Sequence, residues 1–136
     1  MAEFILKDLV RKNGWAIEVA SAGTSSEEEG SPVYPPAKAE LSAHGIRCDG
    51  KRAVALERED YYKYDYILCM ENRNVSNAVR IFGADKDGKV FRLMDFSQDP
   101  KDIADPWYTR DFKKAYAEIE KGVNCFVQFL REKKKI

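Results

Sequence analysis

The sequence contains few of the residues that build metal centres and disulfides. Its 136 residues include three cysteines and one histidine. Cys48, Cys69 and Cys125 are odd in number, widely separated and free of any Cys-x-x-Cys pair. Disulfide frameworks use even sets of cysteines, and thiolate metal sites use closely spaced ones. We therefore expect no metal and a reducing, cytoplasmic location.

An excess of charge, a long apolar run and a glycine-rich loop are also missing. The 23 basic residues balance 23 acidic ones, so electrostatics gives no reason to expect a nucleic acid or an anionic membrane as partner. No apolar run approaches the length that spans a membrane, and no signal peptide is visible. No glycine-rich phosphate loop occurs, and we expect no cofactor.

The elements that the sequence does predict alternate between helix and strand. Its length indicates one domain, residues 1–136. The continuous apolar run 66–70 is typical of a strand buried on both faces, as in parallel sheets. The order predicts an α/β fold, a parallel sheet with helices on both faces. The helices are expected at 2–12, from Pro35 to Gly45, at 57–64, from Asn72 to Gly83 and after an N-cap at Thr109, and the strands at 15–20, 66–70 and 89–94.

Polar segments follow each predicted strand. They are residues 21–24, the pair Glu71 and Asn72, and the loop 95–109. Ligands of parallel sheets bind beyond the carboxyl ends of the strands, so these segments are expected to meet on one rim. The last of them holds "DPWY", a carboxylate (Asp105) followed by two large aromatic side chains (Trp107 and Tyr108). We expect these three side chains to face a site.

Six short stretches together resemble one protein family. They are "MAE" at 1–3, "SAGT" at 21–24, "PPA" at 35–37, "HGI" at 44–46, "EREDYYKYDYILCM" at 57–70 and "DPWY" at 105–108. In this order they resemble the low molecular weight protein-tyrosine phosphatases. The resemblance implies a phosphotyrosine protein or a small aryl phosphate as substrate. It also implies that Asp105 is a general acid and base, and that Trp107 and Tyr108 form the wall that accepts the substrate ring.

The resemblance does not extend to the nucleophile. In the family, "MAE" follows a strand and a Cys-x5-Arg-Ser-Pro loop whose thiolate attacks phosphorus. No nucleophile is predicted here: Cys48 and Cys125 fall in connecting or helical segments, and Cys69 falls in a core strand. The expectation is a family member missing its first strand and phosphate loop, inactive as written. Self-association is expected, to cover the strand edges and the apolar face of the first helix.

Further departures leave the function open. Glu27 stands near where many relatives place an aromatic that grips the substrate ring, and Lys51 stands near a common family histidine. His44 is expected to pack or cap a helix rather than bind a ligand. The alternatives are a phosphatase whose recorded chain starts late, a non-catalytic binding or interaction remnant, and, with less support, a relative of the arsenate reductases.

Overall fold

A parallel two-stranded sheet lies between two groups of helices in the computed structural model, which describes residues 1–25, 27 and 29–136. The elements are α1 (Ala2–Asn13), α2 (Pro35–Ala43), α3 (Asp60–Lys63), β1 (Ile67–Cys69), α4 (Asn72–Phe82), β2 (Val90–Arg92), a 3-10 turn (Leu93–Phe96), α5 (Pro106–Thr109) and α6 (Phe112–Glu132).

Side chains of β1 alternate between the two faces of the sheet. β1 pairs with β2 in parallel, with Leu68 opposite Phe91. Ile67 and Cys69 join the cluster formed with α3 and α4, whereas Leu68 packs on the core formed by α1, α2 and α6. The apolar run 66–70 is therefore covered on both faces, and the predicted α/β fold class is confirmed.

Helix α6 carries the largest apolar face. Fully burying a large apolar side chain stabilises a fold by roughly 1.5–3 kcal/mol, so this helix is a main source of stability. It packs against α1 and against the fully buried Leu93 and Met94 of the 3-10 turn. The buried residues of α6 are Ala115, Tyr116, Ile119, Gly122, Val123, Phe126, Val127 and Leu130.

Several helix ends lie where local signals predict them, but the caps differ. Helix α1 ends at Gly14, which has a φ of 65°, a conformation that suits glycine. Helix α4 begins at Asn72, but its N-cap is Glu71, in a reciprocal capping box with Asn74. The predicted N-cap Thr109 is wrong: Asp111 caps α6 by accepting a hydrogen bond from the Lys114 amide at 3.0 Å.

The predicted strand at 15–20 is not a strand of the sheet. Within the described part of the chain, residues 16–22 make no backbone hydrogen bond to a strand. Trp15, Ile17 and Val19 do pack on the core, and the residues between them are exposed. The alternation of apolar and polar residues therefore correctly predicted which side chains pack on the core. A strand also needs a hydrogen-bonded neighbour, and this segment has none among the described residues. The expected surface loop 24–32 includes Ser26 and Glu28, which lie outside the described residues.

Replacing Gly122 with alanine tests the contact between α6 and the 3-10 turn. An added Cβ would lie 2.7 Å from Leu93 Cγ and 3.2 Å from Met94 Sδ. Alanine gains about 1 kcal/mol in helix propensity, but overpacking a core costs about 1–3 kcal/mol. We expect Gly122→Ala to lower the free energy of unfolding, measured by urea denaturation. The control, Asn124→Ala, lies at an exposed position of the same helix and should not lower the free energy of unfolding. Equal stability of the two variants would contradict close packing of Gly122 on the 3-10 turn.

Candidate functional site

Two attachments hold the end of the 97–105 loop against the sheet. The amide of Ile103, a residue only 1% exposed, donates to the Met70 carbonyl just beyond β1 at 2.9 Å. The Asp102 carboxylate accepts from the Asn72 amide at 2.9 Å and from Arg92 Nη1 at 3.1 Å. The loop is therefore fixed at the carboxyl ends of both strands and at the start of α4.

Asp105 follows these attachments and is the N-cap of α5. Its Oδ1 accepts a hydrogen bond from the Trp107 amide at 2.9 Å. Pro106 supplies the first helical residue, where a missing N–H costs nothing. The side chain is half-buried, and within the described part of the chain its Oδ2 has no hydrogen-bond partner. The carboxylate is thus oriented through one oxygen, and the other oxygen is available.

Trp107 is held on two sides. Its ring meets the Tyr34 ring edge-on, with centroids 4.5 Å apart, and the Arg110 guanidinium lies 5.4 Å from the ring centre. Arg110 Nη1 also donates to the Tyr34 hydroxyl at 2.6 Å. Trp107 nevertheless remains 47% exposed. Such a ring is fixed in place and still open to a partner.

Tyr108 is the more exposed aromatic of the pair. It is 71% exposed, and the Arg73 guanidinium lies 5.9 Å from its ring centre. Arg73 also pairs with Glu71 at 3.3 Å. The start of α4 and the "DPWY" segment are therefore adjacent, and the prediction that they share a rim is confirmed.

The segment 21–24 is tied to a different group of residues. Ser21 Oγ donates to the carboxylate of Glu3, which also pairs with Lys7 at 2.6 Å and Lys51 at 2.9 Å. Gly23 bonds to the backbone of residues 54–56. Among the described residues, no hydrogen bond, ion pair or ring contact joins 21–24 to 105–109. No direct contact between residues 21–24 and the "DPWY" segment therefore supports the part of the prediction that placed them on one rim.

The Glu3 carboxylate joins α1 to two loops and is almost fully buried, with its side chain 3% exposed. Burial by itself raises the pKa of Glu3, but hydrogen bonds from Lys7, Ser21 and Lys51 outweigh it and lower the pKa below the ordinary 4.5. Lys51, singled out because it stands near a family histidine, therefore serves as a partner of this carboxylate.

Replacing Glu3 with glutamine tests this junction. A carboxyl whose pKa is lowered by folding stabilises the fold above its unfolded pKa, and this contribution is lost as the pH falls through the folded value. We expect Glu3→Gln to lower the free energy of unfolding by about 1–3 kcal/mol at pH 7. The difference from wild type should shrink below about pH 4. The control is Glu18→Gln, at an exposed carboxyl; a pH-independent difference between Glu3→Gln and wild type would contradict the assignment.

The three cysteines differ in their surroundings. Burial raises the pKa of Cys69 to about 11, so this residue is a thiol at neutral pH and a poor nucleophile. Cys48 is 5% exposed. By spacing alone Cys125 and Arg131 form a Cys-x5-Arg pair, which the prediction of no nucleophile overlooked. Both lie in α6, where residues six apart are separated by about 9 Å along the axis and leave the helix in different directions.

The structure also describes His44 and Glu27, which were singled out in the sequence. The His44 ring stacks on Tyr116 at 3.7 Å and bonds to Glu40 at 3.1 Å, so its packing role is confirmed. Glu27 is exposed, and its amide donates to Ser25 Oγ at 3.2 Å. The described residues contain no cluster of three or more metal-ligating side chains. None of the helices described is both long and apolar enough to cross a bilayer.

The missed residues are Tyr34, Arg110, Asp102 and Glu3. Tyr34 precedes "PPA", and Glu3 belongs to "MAE", so proximity to those stretches was the available signal for these two. Arg110 and Asp102 flank the "DPWY" segment, but only their partners reveal what they do. Those partners are distant in sequence.

Comparisons with known proteins agree with this geometry. The model of the low molecular weight phosphotyrosine protein phosphatases matches residues 1–136. A low molecular weight protein-tyrosine-phosphatase, PtpA of Staphylococcus saprophyticus, is 33% identical over 132 residues, which cover 96% of this chain and 84% of PtpA. The crystal structure of YfkJ from Bacillus subtilis superposes with a TM-score of 0.93 at 28% identity, covering 98% of this chain and 86% of YfkJ.

A further solved structure is that of a drosophila arginine phosphatase. It superposes with a TM-score of 0.85 at 26% identity, covering 94% of this chain and 87% of that one. The fold therefore occurs both in proteins named as tyrosine phosphatases and in one named as an arginine phosphatase.

Proposed function

The chain belongs to the low molecular weight phosphotyrosine protein phosphatase family, and on this basis we propose that residues 105–108 form the acid and ring-binding half of a phosphotyrosine phosphatase site. Asp105 protonates the departing phenolate and then, as a base, activates water. Trp107 and Tyr108 contact the substrate ring. The observation that carries the proposal is the Asp105 carboxylate, oriented by the Trp107 amide at 2.9 Å beside exposed aromatics.

The geometry suits both roles of the carboxyl group. The cap fixes Oδ1, so the proton is carried by Oδ2, for which the described residues provide no competing donor. The loop attachments at Asp102 and Ile103 keep the carboxyl group from swinging away. Oriented acid–base groups contribute about 10²–10⁴-fold to a rate, which sets the size of effect expected from Asp105.

The nucleophile is a separate requirement of the reaction. A cysteine thiolate in a Cys-x5-Arg loop attacks phosphorus, and loop amides and the arginine stabilise the charge. Cys48 and Cys69 are buried, and Cys125 is helical. We propose that none of them is the nucleophile and that the 136-residue polypeptide alone is inactive.

A fusion tests the role of Asp105. A strand and Cys-x5-Arg loop of the family pattern placed before Met1 should give hydrolysis of p-nitrophenyl phosphate, and the 136 residues alone should give background. In the fusion, Asp105→Asn should lower kcat by about 100-fold or more. The loss should be largest for phenyl phosphate, because a poor leaving group needs protonation most.

Asp99→Asn is the matched control, since Asp99 is an exposed carboxyl in the same loop. Its kcat should stay near that of the parent fusion. An unchanged rate with asparagine at 105 would show that the acid lies elsewhere. Phosphoarginine belongs in the assay as a second substrate class; a higher kcat/KM for it than for phosphotyrosine would contradict the substrate proposed here.

A non-catalytic binding protein is the second candidate function. It is supported by two observations: the aromatic side chains of the "DPWY" segment are exposed, and Cys48 and Cys69 are buried. Background hydrolysis by the fusion, with phosphotyrosine peptide still bound, would favour it. We also propose a cytoplasmic location, which is supported by three free cysteines.

We further propose that the polypeptide self-associates through unpaired backbone. The Ile67 amide donates to Lys89, so in a parallel ladder the amide and carbonyl of Leu68 point away from β2. The segment 16–22 is also unpaired within the described residues. Open edges of this kind pair readily with another chain, and a second copy of this chain carries the same edges.

Dilution tests this proposal. Sedimentation velocity across a series of concentrations should show a shift from dimer to monomer. The near-ultraviolet circular dichroism should weaken in parallel, because Trp15 adjoins the unpaired segment 16–22. The contribution of Trp107 should persist, because Tyr34 and Arg110 of the same chain hold its ring. A compact monomer at every concentration, with a cooperative thermal transition, would contradict self-association.

A further inference from the structure

Arg110 has an unusual backbone conformation for its residue type. Its φ is 63°, and among the described non-glycine residues only Lys134 shares a positive φ. The left-handed region costs an L-residue roughly 1–2 kcal/mol, and glycine adopts it freely. Lys134 follows the end of α6 and makes no ring contact or ion pair in the described part of the chain. Arg110, by contrast, ends α5 with its side chain fixed.

The Arg110 guanidinium is oriented but not neutralised. Nη1 donates to the Tyr34 hydroxyl at 2.6 Å, and the group lies 5.4 Å from the centre of the Trp107 ring. Within the described part of the chain, no carboxylate lies within ion-pair distance of it. A guanidinium has five N–H donors, so the remaining donors are available to a ligand at the edge of Trp107.

The charged groups near Arg110 make other hydrogen bonds or ion pairs. Asp105 and Asp111 cap α5 and α6. Arg73, the guanidinium over Tyr108, is balanced by Glu71 at 3.3 Å. Asp105 and Asp111 keep their negative charge, because a backbone amide does not neutralise a carboxylate. Of the two guanidinium groups beside the exposed rings, Arg110 is the one without a carboxylate partner among the described residues.

We propose that Arg110 binds a carboxylate that flanks the phosphotyrosine, so that this site prefers acidic phosphotyrosine peptides. The proposal rests on the proposed function, in which Trp107 contacts the substrate ring. A peptide whose tyrosine ring lies on Trp107 carries its neighbouring residues past Arg110. Guanidinium and carboxylate groups match in a two-bond geometry, and the contact with Tyr34 keeps the guanidinium in place beforehand.

A binding experiment on the 136-residue chain tests this without requiring turnover. The probes are two phosphotyrosine pentapeptides, one with glutamate and one with glutamine at the four flanking positions. Binding is followed through the indole NMR signals of the two tryptophans, with Trp107 assigned from Trp107→Phe. We expect the acidic peptide to bind about threefold more tightly, the size of an exposed ion pair, with the preference lost at high salt.

Arg110→Gly is the decisive variant, because glycine suits a φ of 63° and removes only the side chain. We expect it to remain folded and to bind both peptides equally. Arg110→Lys should keep part of the preference. If Arg110 merely ends α5, Arg110→Gly would retain the preference, and this result would overturn the proposal.

Arg131 and Trp15 form the matched control. The Arg131 guanidinium lies 5.3 Å from the Trp15 ring, a similar stack away from Asp105. Arg131→Gln should leave the preference intact. The proposal would be overturned if the indole NMR signals of Trp15 and Trp107 shifted equally on adding the acidic peptide. It would also be overturned if wild type bound both peptides equally. This experiment measures binding and does not require catalysis. If the fusion is inactive but still prefers the acidic peptide, the result contradicts the proposed catalysis and supports the Arg110 contact.

Discussion

The attachment of the 97–105 loop to the sheet is the constraint on which the candidate site depends. The loop is polar and has little core of its own, but Ile103 is buried and bonded to Met70. Asp102 bridges Arg92 and the first amide of α4. The Asp102 contacts are exposed, so each contributes at most about 1 kcal/mol, and the buried Ile103 is the main anchor. These few contacts therefore determine where Asp105 and the aromatic side chains stand.

The site and the core are coupled through α6. The "DPWY" segment leads directly into this helix, whose buried face packs on α1 and the 3-10 turn. Helix α1 in turn holds Glu3, which binds Ser21 and Lys51 from two separate loops. A buried carboxylate with three donors is stabilising only while all of them remain. The Glu3 network thus relies on the packing of α1 against α6, whereas the loop that leads to α6 relies on its attachments to the sheet and to α4.

The "DPWY" segment combines an oriented carboxylate with exposed aromatic rings. Asp105 has one oriented oxygen and one open oxygen, and Trp107 is fixed between Tyr34 and Arg110. Such preorganisation limits the entropy lost when a substrate ring binds. The Arg110 guanidinium, which has no carboxylate partner among the described residues, lies beside the Trp107 ring. In the proposed function, recognition and proton transfer are both assigned to this one short segment.

Much of the fold could be predicted from local sequence. Gly14 and Gly83 mark the ends of helices, the apolar run 66–70 marks a strand covered on both faces, and the alternation in 15–20 identifies its buried side. Local sterics and the periods of helix and strand decide these features. The resemblance also points to Asp105, Trp107 and Tyr108, which lie within four consecutive positions of the sequence.

Only the tertiary structure decided which groups meet. The partner of Arg110 is Tyr34, which is 76 residues away, and the partner of Asp102 across the loop is Asn72, which is 30 residues away. It also showed that 15–20 has no ladder partner within the described residues and that Asp111 rather than Thr109 caps α6. The physical reason is the range of each interaction: helix periodicity and glycine conformations depend on a few consecutive residues, whereas ion pairs, ring contacts and strand pairing depend on how the whole chain closes.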